Sequence, residues 1–198
     1  MGAEYYETTA HAGARLSHAE WQGRGFKIHG ASPDYPNFVD STGYGSGSGL
    51  CGWNCRHSFY PYWPGISSPA YSKERLAEYD RAKYSYNGDM LTDYECSQIQ
   101  RAYEREIREI KRILSSYDAA MQESRSEAQI QCIQEDFTSE SVKLKKKERE
   151  LKNFCNDTNR SYDSARTQVV AYKDSEGRIV NFGRSTAQKA VWANKKSN

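Results

Sequence analysis

Apolar side chains recur at intervals of four and three residues through the middle of the chain, with charged residues between them. This spacing follows the seam of a heptad repeat and predicts a long amphipathic helix. After a polar break at residues 122–127, a second amphipathic series extends to Cys155. Since the two series have similar lengths, they predict an antiparallel helical hairpin over residues 94–157, about 40 Å long at 1.5 Å per residue. The first series consists of Ile99, Tyr103, Ile107, Ile110, Leu114, Tyr117 and Met121.

Residues 1–93 have a different pattern, which predicts a body of short elements joined by loops. All the histidines, all the prolines and 11 of the 14 glycines lie before residue 70, and the predicted helical hairpin contains none of them. Alternating apolar and polar residues predict short strands at Phe26–His29 and Tyr84–Tyr86. A short helix is predicted at Ser72–Arg81, because its first residue is a good N-cap.

The C-terminal part is predicted to form a second, smaller hairpin. Gln168–Tyr172 and Ile179–Phe182 are rich in β-branched residues and flank a polar turn that contains a glycine. We expect residues 158–198 to return to the body through this β-hairpin. A tail helix is predicted at Ser185–Trp192, with disorder from Asn194 onward. Together the elements predict an α+β fold with a loop-rich small-sheet body, a long antiparallel helical hairpin and a C-terminal β-hairpin.

Charge and composition exclude several functional classes. The formal net charge is only +2 and the mean hydropathy is −0.94, so nothing draws the whole molecule to nucleic acid or to an anionic membrane. No window of 18 consecutive apolar residues occurs, and the first 20 residues lack a signal-peptide pattern. We therefore expect neither a membrane span nor a secretory leader. The five cysteines form an odd set without the spacing of a secreted disulfide framework, which favours a reducing compartment.

A local basic surface lies on the second predicted helix, within Lys143–Lys152. This stretch is a candidate contact for nucleic acid or for an acidic protein surface. However, Glu148 and Glu150 are interleaved with the basic residues, which is typical of a solvated helix face. We favour the solvated face.

Three residues near the N-terminus are candidates for acid–base chemistry. His11, Arg15 and His18 are four and three residues apart, so they would share one face if this segment were helical. Two imidazoles and a guanidinium, with His57 as a further group, could cleave RNA by general acid–base catalysis without a metal. The same residue types also form ordinary hydrogen-bonded networks that orient a loop. We favour the structural network over catalysis.

A glycine-rich stretch, Gly43–Gly49, precedes a second group of reactive side chains. Its glycines oppose helix formation, and it lacks the lysine and hydroxyl ending of a nucleotide-binding loop, so we expect a conformable loop. Beyond it, Cys51, Cys55 and His57, joined by His11 or His18, offer enough thiol and imidazole groups for tetrahedral zinc. Because the spacing matches no common zinc motif, we favour unligated cysteines and expect no cofactor.

Several motifs taken together carry a family resemblance. They lie in Thr9–Arg15, His18–Gly23, Ser41–Gly45, Gly52–His57, Tyr60–Pro61 and Tyr84–Gly88, and in the later Gln168–Val169 and Asn181–Arg184. The chain resembles the C-terminal region of the phage minor capsid protein 2 family. Members of that family are tailed-phage and prophage head proteins encoded beside the portal gene. It is more distantly similar to phage Mu protein F-like head morphogenesis domains. The residues to which the resemblance assigns a binding or structural role are Trp21, Gln22, Gly23, Gly43, Gly45, Asn54, Cys55 and Arg56.

The resemblance implies a virion protein present in few copies near the portal. Its expected partners are portal or capsid proteins, its expected role is head assembly or DNA packaging and ejection, and its expected location before assembly is the host cytoplasm. Members of this family are usually much longer, which implies a fragment, an excised domain or a free-standing derivative. A free-standing derivative would raise two alternatives: a ribonuclease-like enzyme using His11, Arg15 and His18, or an inhibitor that binds a host protein through the helical hairpin.

Overall fold

The protein is described by a computed structural model that covers residues 2–196 and divides them into two compact units between Ser97 and Gln98. Short helices and strands make up the first unit, and long helices dominate the second. The elements of the first unit are β1 (Tyr5–Thr8), α1 (Leu16–Ala19), β2 (Gly25–Lys27), α2 (Phe38–Thr42), β3 (Phe59–Tyr62), α3 (Lys73–Asp80), β4 (Tyr84–Tyr86) and β5 (Asp89–Leu91).

The first unit is built on a three-stranded antiparallel sheet with the strand order β2-β1-β3. Tyr6 lies opposite Phe26 on one side and Pro61 on the other. Proline fits here because β3 is an edge strand, where its missing N–H removes no ladder bond. The core beside the sheet consists of Trp21, Phe26, Phe38 and Leu50, with Tyr6, Ile28, Cys55 and Phe59 packed against it.

Several predictions for this unit are confirmed by the elements observed. The helix predicted at Ser72–Arg81 forms as α3, and the Ser72 side chain accepts a hydrogen bond from the Arg75 N–H. β4 and β5 pair antiparallel around Asn87 and Gly88, both of which have positive φ. Their backbones therefore adopt the left-handed conformation that a tight hairpin turn requires.

Other features of the first unit differ from the sequence predictions. His11, Arg15 and His18 do not share a helical face, because their segment is not helical throughout: α1 begins only at Leu16 and Arg15 is its N-cap. Gly13, at φ +75°, turns the chain before the helix. The sequence pattern also missed the α2 helix, whose N-cap Asn37 accepts a hydrogen bond from the Asp40 N–H, and the β3 strand.

The second unit consists of the predicted helical hairpin and the C-terminal segment. α4 (Asp93–Glu123) and α5 (Glu127–Asp157) each contain 31 residues. α4 begins in the first unit, where Thr92 and Glu95 form a capping box: the Glu95 N–H donates to Thr92 Oγ1 at 3.2 Å and the Thr92 N–H to Glu95 Oε2 at 2.8 Å. Ser126 caps α5 by accepting from the Gln129 N–H. The predicted hairpin is therefore confirmed.

The two long helices are held together by a packed seam with ion pairs beside it. Tyr103 of α4 packs against Phe154 of α5, with ring centroids 6.0 Å apart. Lys147 of α5 lies 2.9 Å from a carboxylate oxygen of Glu106, and Lys111 of α4 lies 3.2 Å from Glu148. Of the apolar series predicted in α4, Ile107 and Leu114 are buried and the other members are partly buried.

The C-terminal segment forms a short β-hairpin and a helix that contact the long helices within this unit. β6 (Tyr172–Lys173) pairs with β7 (Ile179–Val180), so the predicted β-hairpin is confirmed, although each strand has only two residues. Its turn is closed by Asp174, whose carboxylate accepts the N–H groups of Glu176 and Arg178, both at 2.9 Å. The pattern predicted longer strands. Beyond the two paired residues of each strand, hydrogen bonds from the Asp174 side chain close the hairpin instead.

The terminal helix is longer than predicted. α6 (Arg184–Lys196) extends beyond the expected end at Trp192, so the disorder predicted from Asn194 is wrong as far as Lys196. The physical reason is the Asn194 side chain, which is buried and donates to the carbonyl oxygens of Ser141 at 2.8 Å and Ala190 at 3.0 Å. The remainder of that prediction, Ser197 and Asn198, lies outside the described residues.

A buried carboxylate joins α4 to α6, and removing its charge should weaken this unit. Asp118 accepts hydrogen bonds from Thr186 Oγ1 at 2.7 Å and Lys189 Nζ at 2.5 Å. Asp118→Asn keeps the shape but removes the charge, so we expect the free energy of unfolding to fall by about 1–3 kcal/mol, the usual size of a charge-assisted hydrogen bond. Urea denaturation monitored by helical circular dichroism measures this loss.

The effect of Asp118→Asn should depend on pH in a defined direction. Burial opposes ionisation of Asp118, but the bonds from Lys189 and Thr186 outweigh it and lower the pKa of the carboxyl. A lowered folded-state pKa stabilises the fold fully above the unfolded pKa of about 3.9 and loses that contribution as pH falls through the folded value. The difference from wild type should therefore be full at pH 7 and shrink below about pH 4. Glu109→Gln, at an exposed position of α4, is the control and should change little.

Candidate functional site

Two distant stretches of the first unit are joined by backbone and hydroxyl hydrogen bonds. The Thr9 N–H donates to the Ser58 carbonyl at 2.8 Å, and the Ser58 N–H donates to Thr9 Oγ1 at 2.8 Å. Since β1 and β3 pair just before this point, the bonds extend the sheet by one step. They bring the segment after β1, with its histidine and arginine, against the segment that precedes β3.

The glycine-rich stretch is a compact series of turns in which Gly43 ends α2. Gly43 adopts the left-handed conformation at φ +63° and its N–H bonds the Val39 carbonyl. Its own carbonyl accepts from both the N–H and the hydroxyl of Ser46, at 3.0 and 2.7 Å. Gly49 lies so close to Gly43 that a Cβ at Gly49 would overlap the Gly43 carbonyl group. The stretch is a loop, as predicted. Its glycines also allow two parts of the backbone to approach more closely than any side chain would permit.

The chain beyond this loop turns twice more before it reaches β3. Cys51 and Asn54 have φ values of +59° and +55°, which are unusual for residues other than glycine. Through these turns Cys55 and His57 face the core, while Asn54 and Arg56 remain exposed. Neighbouring residues of the motif therefore differ in exposure, with two facing the core and two facing solvent.

Three side chains converge where the two stretches meet. His18 Nδ1 lies 3.4 Å from His57 Nδ1, and Cys55 Sγ lies 3.7 Å from each of these nitrogens. His18 is 2% exposed and His57 is 5% exposed. Among the described residues, these three form a cluster that could hold a metal ion.

The other nitrogen of each imidazole is held by a hydrogen bond. His18 Nε2 lies 3.0 Å from the Ser48 carbonyl oxygen in the glycine-rich loop. His57 Nε2 lies 3.1 Å from the Gln22 side-chain oxygen, which also accepts the His11 N–H at 3.1 Å. The loop and the residue after Trp21 therefore fix the orientation of both rings.

The surroundings of the two buried imidazoles disfavour their charged forms. Burial lowers the pKa of His57 to about 4, and the neighbouring His11, His18, Arg56 and Arg15 add to the effect. Burial also lowers the pKa of His18, against the opposing effect of its bond to Ser48. Both rings are consequently neutral near pH 7, so neither is well suited to donate a proton as a general acid.

The remaining residues proposed for acid–base chemistry lie around this cluster. The His11 ring stacks on His57 with centroids 4.3 Å apart, and its Nδ1 lies 2.9 Å from the Ala12 carbonyl. His11 Nε2 is buried and has no hydrogen-bond partner among the described residues. Arg15 donates to the Trp53 carbonyl at 2.7 Å. The structure thus brings His11, Arg15, His18 and His57 together, with Arg15 engaged by the loop backbone.

Cys51, the remaining sequence-predicted metal ligand, lies beside the cluster without belonging to it. Its Sγ lies 3.7 Å from the His57 carbonyl oxygen, and Cys55 Sγ lies 3.9 Å from the same oxygen. Cys51 is exposed as a residue, but partial desolvation of its sulfur, followed by the nearby Cys55, raises the pKa of the thiol. Of the candidate ligands from the sequence, the cluster therefore contains Cys55, His57 and His18, and it lacks Cys51.

The motif residues without reactive groups mostly support this arrangement. Trp21 is buried against both histidines, with ring centroids 4.6 Å from His18 and 4.8 Å from His57. Gly23 is buried at φ +64°, and a Cβ there would meet Leu76 at 2.7 Å. Gly45, at φ +90°, lies at an open turn of the loop. The sequence did not predict that the Ser48 carbonyl holds His18, because every residue has a backbone carbonyl and residue type does not show which one is used.

Comparisons with known proteins agree with the resemblance of the motifs. The family model for phage minor capsid protein 2 matches residues 1–156. A structural protein of Lactococcus phage LL-H is 35% identical over 108 residues, which cover 52% of this chain and 26% of the relative. A structural protein of Lactococcus phage mv4 is 37% identical over 80 residues, which cover 40% of this chain and 55% of the relative. No solved structure matches.

The chain therefore spans only part of the curated relatives that it matches, a quarter of one and about half of the other. Within the residues that the structure describes, no helix combines the length and apolar character needed to cross a bilayer. The family model, however, extends over most of the chain and includes the histidine and cysteine cluster and nearly all of the helical hairpin. The chain belongs to the phage minor capsid protein 2 family.

Proposed function

We propose that the protein is a minor component of the phage head that acts near the portal, through protein contacts, in head assembly or in DNA packaging and ejection. The observation that carries this proposal is the family match over residues 1–156. The two relatives from Lactococcus phages are both described as structural proteins, which supports a virion role. The expected partners are the portal protein and neighbouring capsid subunits.

The charges of the helical hairpin disfavour nucleic acid as a partner. Within Lys143–Lys152, Lys143 pairs with Glu140 at 2.5 Å, and Lys147 pairs with both Glu106 and Glu150. Lysines that already have carboxylate partners neutralise fewer phosphate groups, so fewer counterions are released from the nucleic acid. This favours the solvated helix face that the interleaved charges predict.

The buried histidines also support a structural role over RNA cleavage. A ribonuclease needs its acid and base within reach of a scissile phosphate. His18 and His57 are almost fully buried, and Arg15 is bonded to the Trp53 carbonyl. Buried histidines held by a backbone carbonyl and an amide side chain are typical of a structural hydrogen-bond network.

Purified virions of the phage that encodes the chain should contain it in a few copies per particle. Quantitative mass spectrometry of virions and of empty heads measures the copy number against the portal protein. Cross-linking within assembled heads should join it to the portal or to adjacent capsid subunits. Its absence from both particles would contradict the proposal.

Incubating the purified protein with RNA distinguishes the catalytic alternative from the structural proposal. We expect the RNA to remain intact. Degradation that disappears in folded His11→Ala and His18→Ala variants, and persists in the exposed control His29→Ala, would overturn the structural proposal in favour of an enzyme.

A further inference from the structure

We propose that His18, Cys55 and His57 form a transition-metal site, and that Zn²⁺ is the ion that these nitrogen and sulfur donors select. Imidazole nitrogen and thiolate sulfur are the typical zinc ligands in proteins. The proposal rests on the hydrogen bonds and distances within the cluster, and it stands independently of where the protein acts in the virion.

The proton on His18 is assigned by its partner. Nε2 lies 3.0 Å from the Ser48 carbonyl oxygen. A carbonyl oxygen only accepts hydrogen bonds, so Nε2 must carry the hydrogen. In the neutral ring, Nδ1 is then left with an exposed lone pair, and that lone pair faces the cluster.

The proton on His57 is assigned in the same way through Gln22. The atom of Gln22 that bonds His57 Nε2 also receives the His11 backbone N–H, at 3.1 Å in each case. A backbone N–H is always a donor, so this atom is the amide oxygen and His57 Nε2 carries the hydrogen. His57 Nδ1 therefore also presents a lone pair to the cluster.

Two lone pairs consequently face each other across 3.4 Å, with the Cys55 sulfur 3.7 Å from both. A thiol has a single hydrogen and can satisfy only one of the two nitrogens, which would leave the other as a buried acceptor without a donor. A cation at the centre satisfies all three groups at once. Metal-binding histidines characteristically donate their second N–H to a carbonyl or a similar acceptor, as both rings do here.

The separations fit tetrahedral zinc without rearrangement. With Zn–N bonds of 2.0–2.1 Å and Zn–S bonds of 2.3 Å, tetrahedral angles give N···N separations of about 3.3 Å and N···S separations of about 3.6 Å. The structure has 3.4 Å for N···N and 3.7 Å for both N···S distances. On binding, Cys55 would release its proton to solvent, and water would complete the fourth position.

A metal here would tie together segments far apart in the chain. His18 and His57 are 39 positions apart, one in α1 and the other just before β3. Their second nitrogens add the glycine-rich loop, through Ser48, and the residue after Trp21, through Gln22. We therefore infer that the ion stabilises the loop-rich first unit, whose helices and strands are short.

The test is metal binding by the full chain, prepared without metal under reducing conditions and titrated with Zn²⁺ or Co²⁺. We expect one equivalent of Zn²⁺ by elemental analysis and a rise in the midpoint of thermal unfolding on adding it. Co²⁺ should give a sulfur-to-cobalt charge-transfer band together with the visible bands of a tetrahedral ion. These wild-type measurements need no variant, so they decide the proposal even if a variant fails to fold.

Variants assign the ligands. Cys55→Ser should abolish the charge-transfer band, and His18→Ala or His57→Ala should weaken Zn²⁺ binding at least about 100-fold, the upper range for loss of a group that only supports a ligand. Cys51→Ser and Cys132→Ser, which change exposed thiols outside the cluster, should retain one equivalent and the band. Gln22→Leu should weaken binding about 10- to 100-fold while leaving the band in place.

Three results would overturn the proposal. The first is wild-type protein that takes up no stoichiometric Zn²⁺ and gains no thermal stability from it. The second is a cobalt spectrum without sulfur ligation. The third is a Cys51→Ser variant that loses the metal as completely as Cys55→Ser, which would replace this ligand set by a different one.

Discussion

Gly49→Ala is expected to destabilise the first unit by about 3 kcal/mol or more, because the added methyl meets backbone instead of a side chain that can move. A Cβ at this position would overlap the carbonyl group of Gly43 and lie 2.8 Å from its Cα. The Gly43 carbonyl is held by two hydrogen bonds from Ser46 and cannot move away without breaking them. Urea denaturation followed by tryptophan fluorescence measures the loss, since Trp21, Trp53 and Trp63 lie in this unit.

The substitution should also reach the histidine and cysteine cluster. Ser48, whose carbonyl holds His18 Nε2, directly precedes Gly49, so a displaced backbone would release His18 from its fixed orientation. The matched control is Gly45→Ala, which adds the same methyl where no atom lies within 4 Å and should cost only the strain of φ +90°, about 1–2 kcal/mol. Equal losses for the two variants would show that packing between Gly43 and Gly49 is not what makes the loop stable.

The sequence predicted the second unit better than the first, for a physical reason. A helix of 31 residues repeats its apolar spacing through eight turns, so single exceptions do not hide the period. The elements missed in the first unit are short: α2 has five residues and depends on its Asn37 cap, and β3 has four residues. Such short elements are stabilised by individual side-chain bonds, which residue patterns do not record.

The candidate site was predictable in its membership but not in its geometry. The sequence analysis grouped His11, Arg15 and His18 with His57, and the structure places these four residues close together. The first three residues do not share a helical face, and a turn at Gly13 and the start of α1 bring them together instead. The roles of Ser48 and Gln22 depend on one carbonyl and one amide oxygen, whose directions follow only from the complete backbone path.

Phe154→Ala should lower the free energy of unfolding of the second unit by about 3–5 kcal/mol, the usual cost of removing a buried aromatic ring. Phe154 is 0% exposed and packs against Tyr103 across the seam between α4 and α5. Because the ring is fully buried, its truncation would leave a cavity where the two helices meet. Helical circular dichroism reports the loss selectively, because α4 and α5 contribute 31 residues each.

Val142→Ala on α5 is the matched control, since that side chain is 42% exposed and its truncation should change stability by less than about 0.5 kcal/mol. A double variant with Tyr103→Leu tests the seam itself. If Phe154 acts through Tyr103, the two losses should not add, because the second substitution removes a contact that is already gone. Strict additivity would mean that Phe154 stabilises α5 through neighbours other than Tyr103.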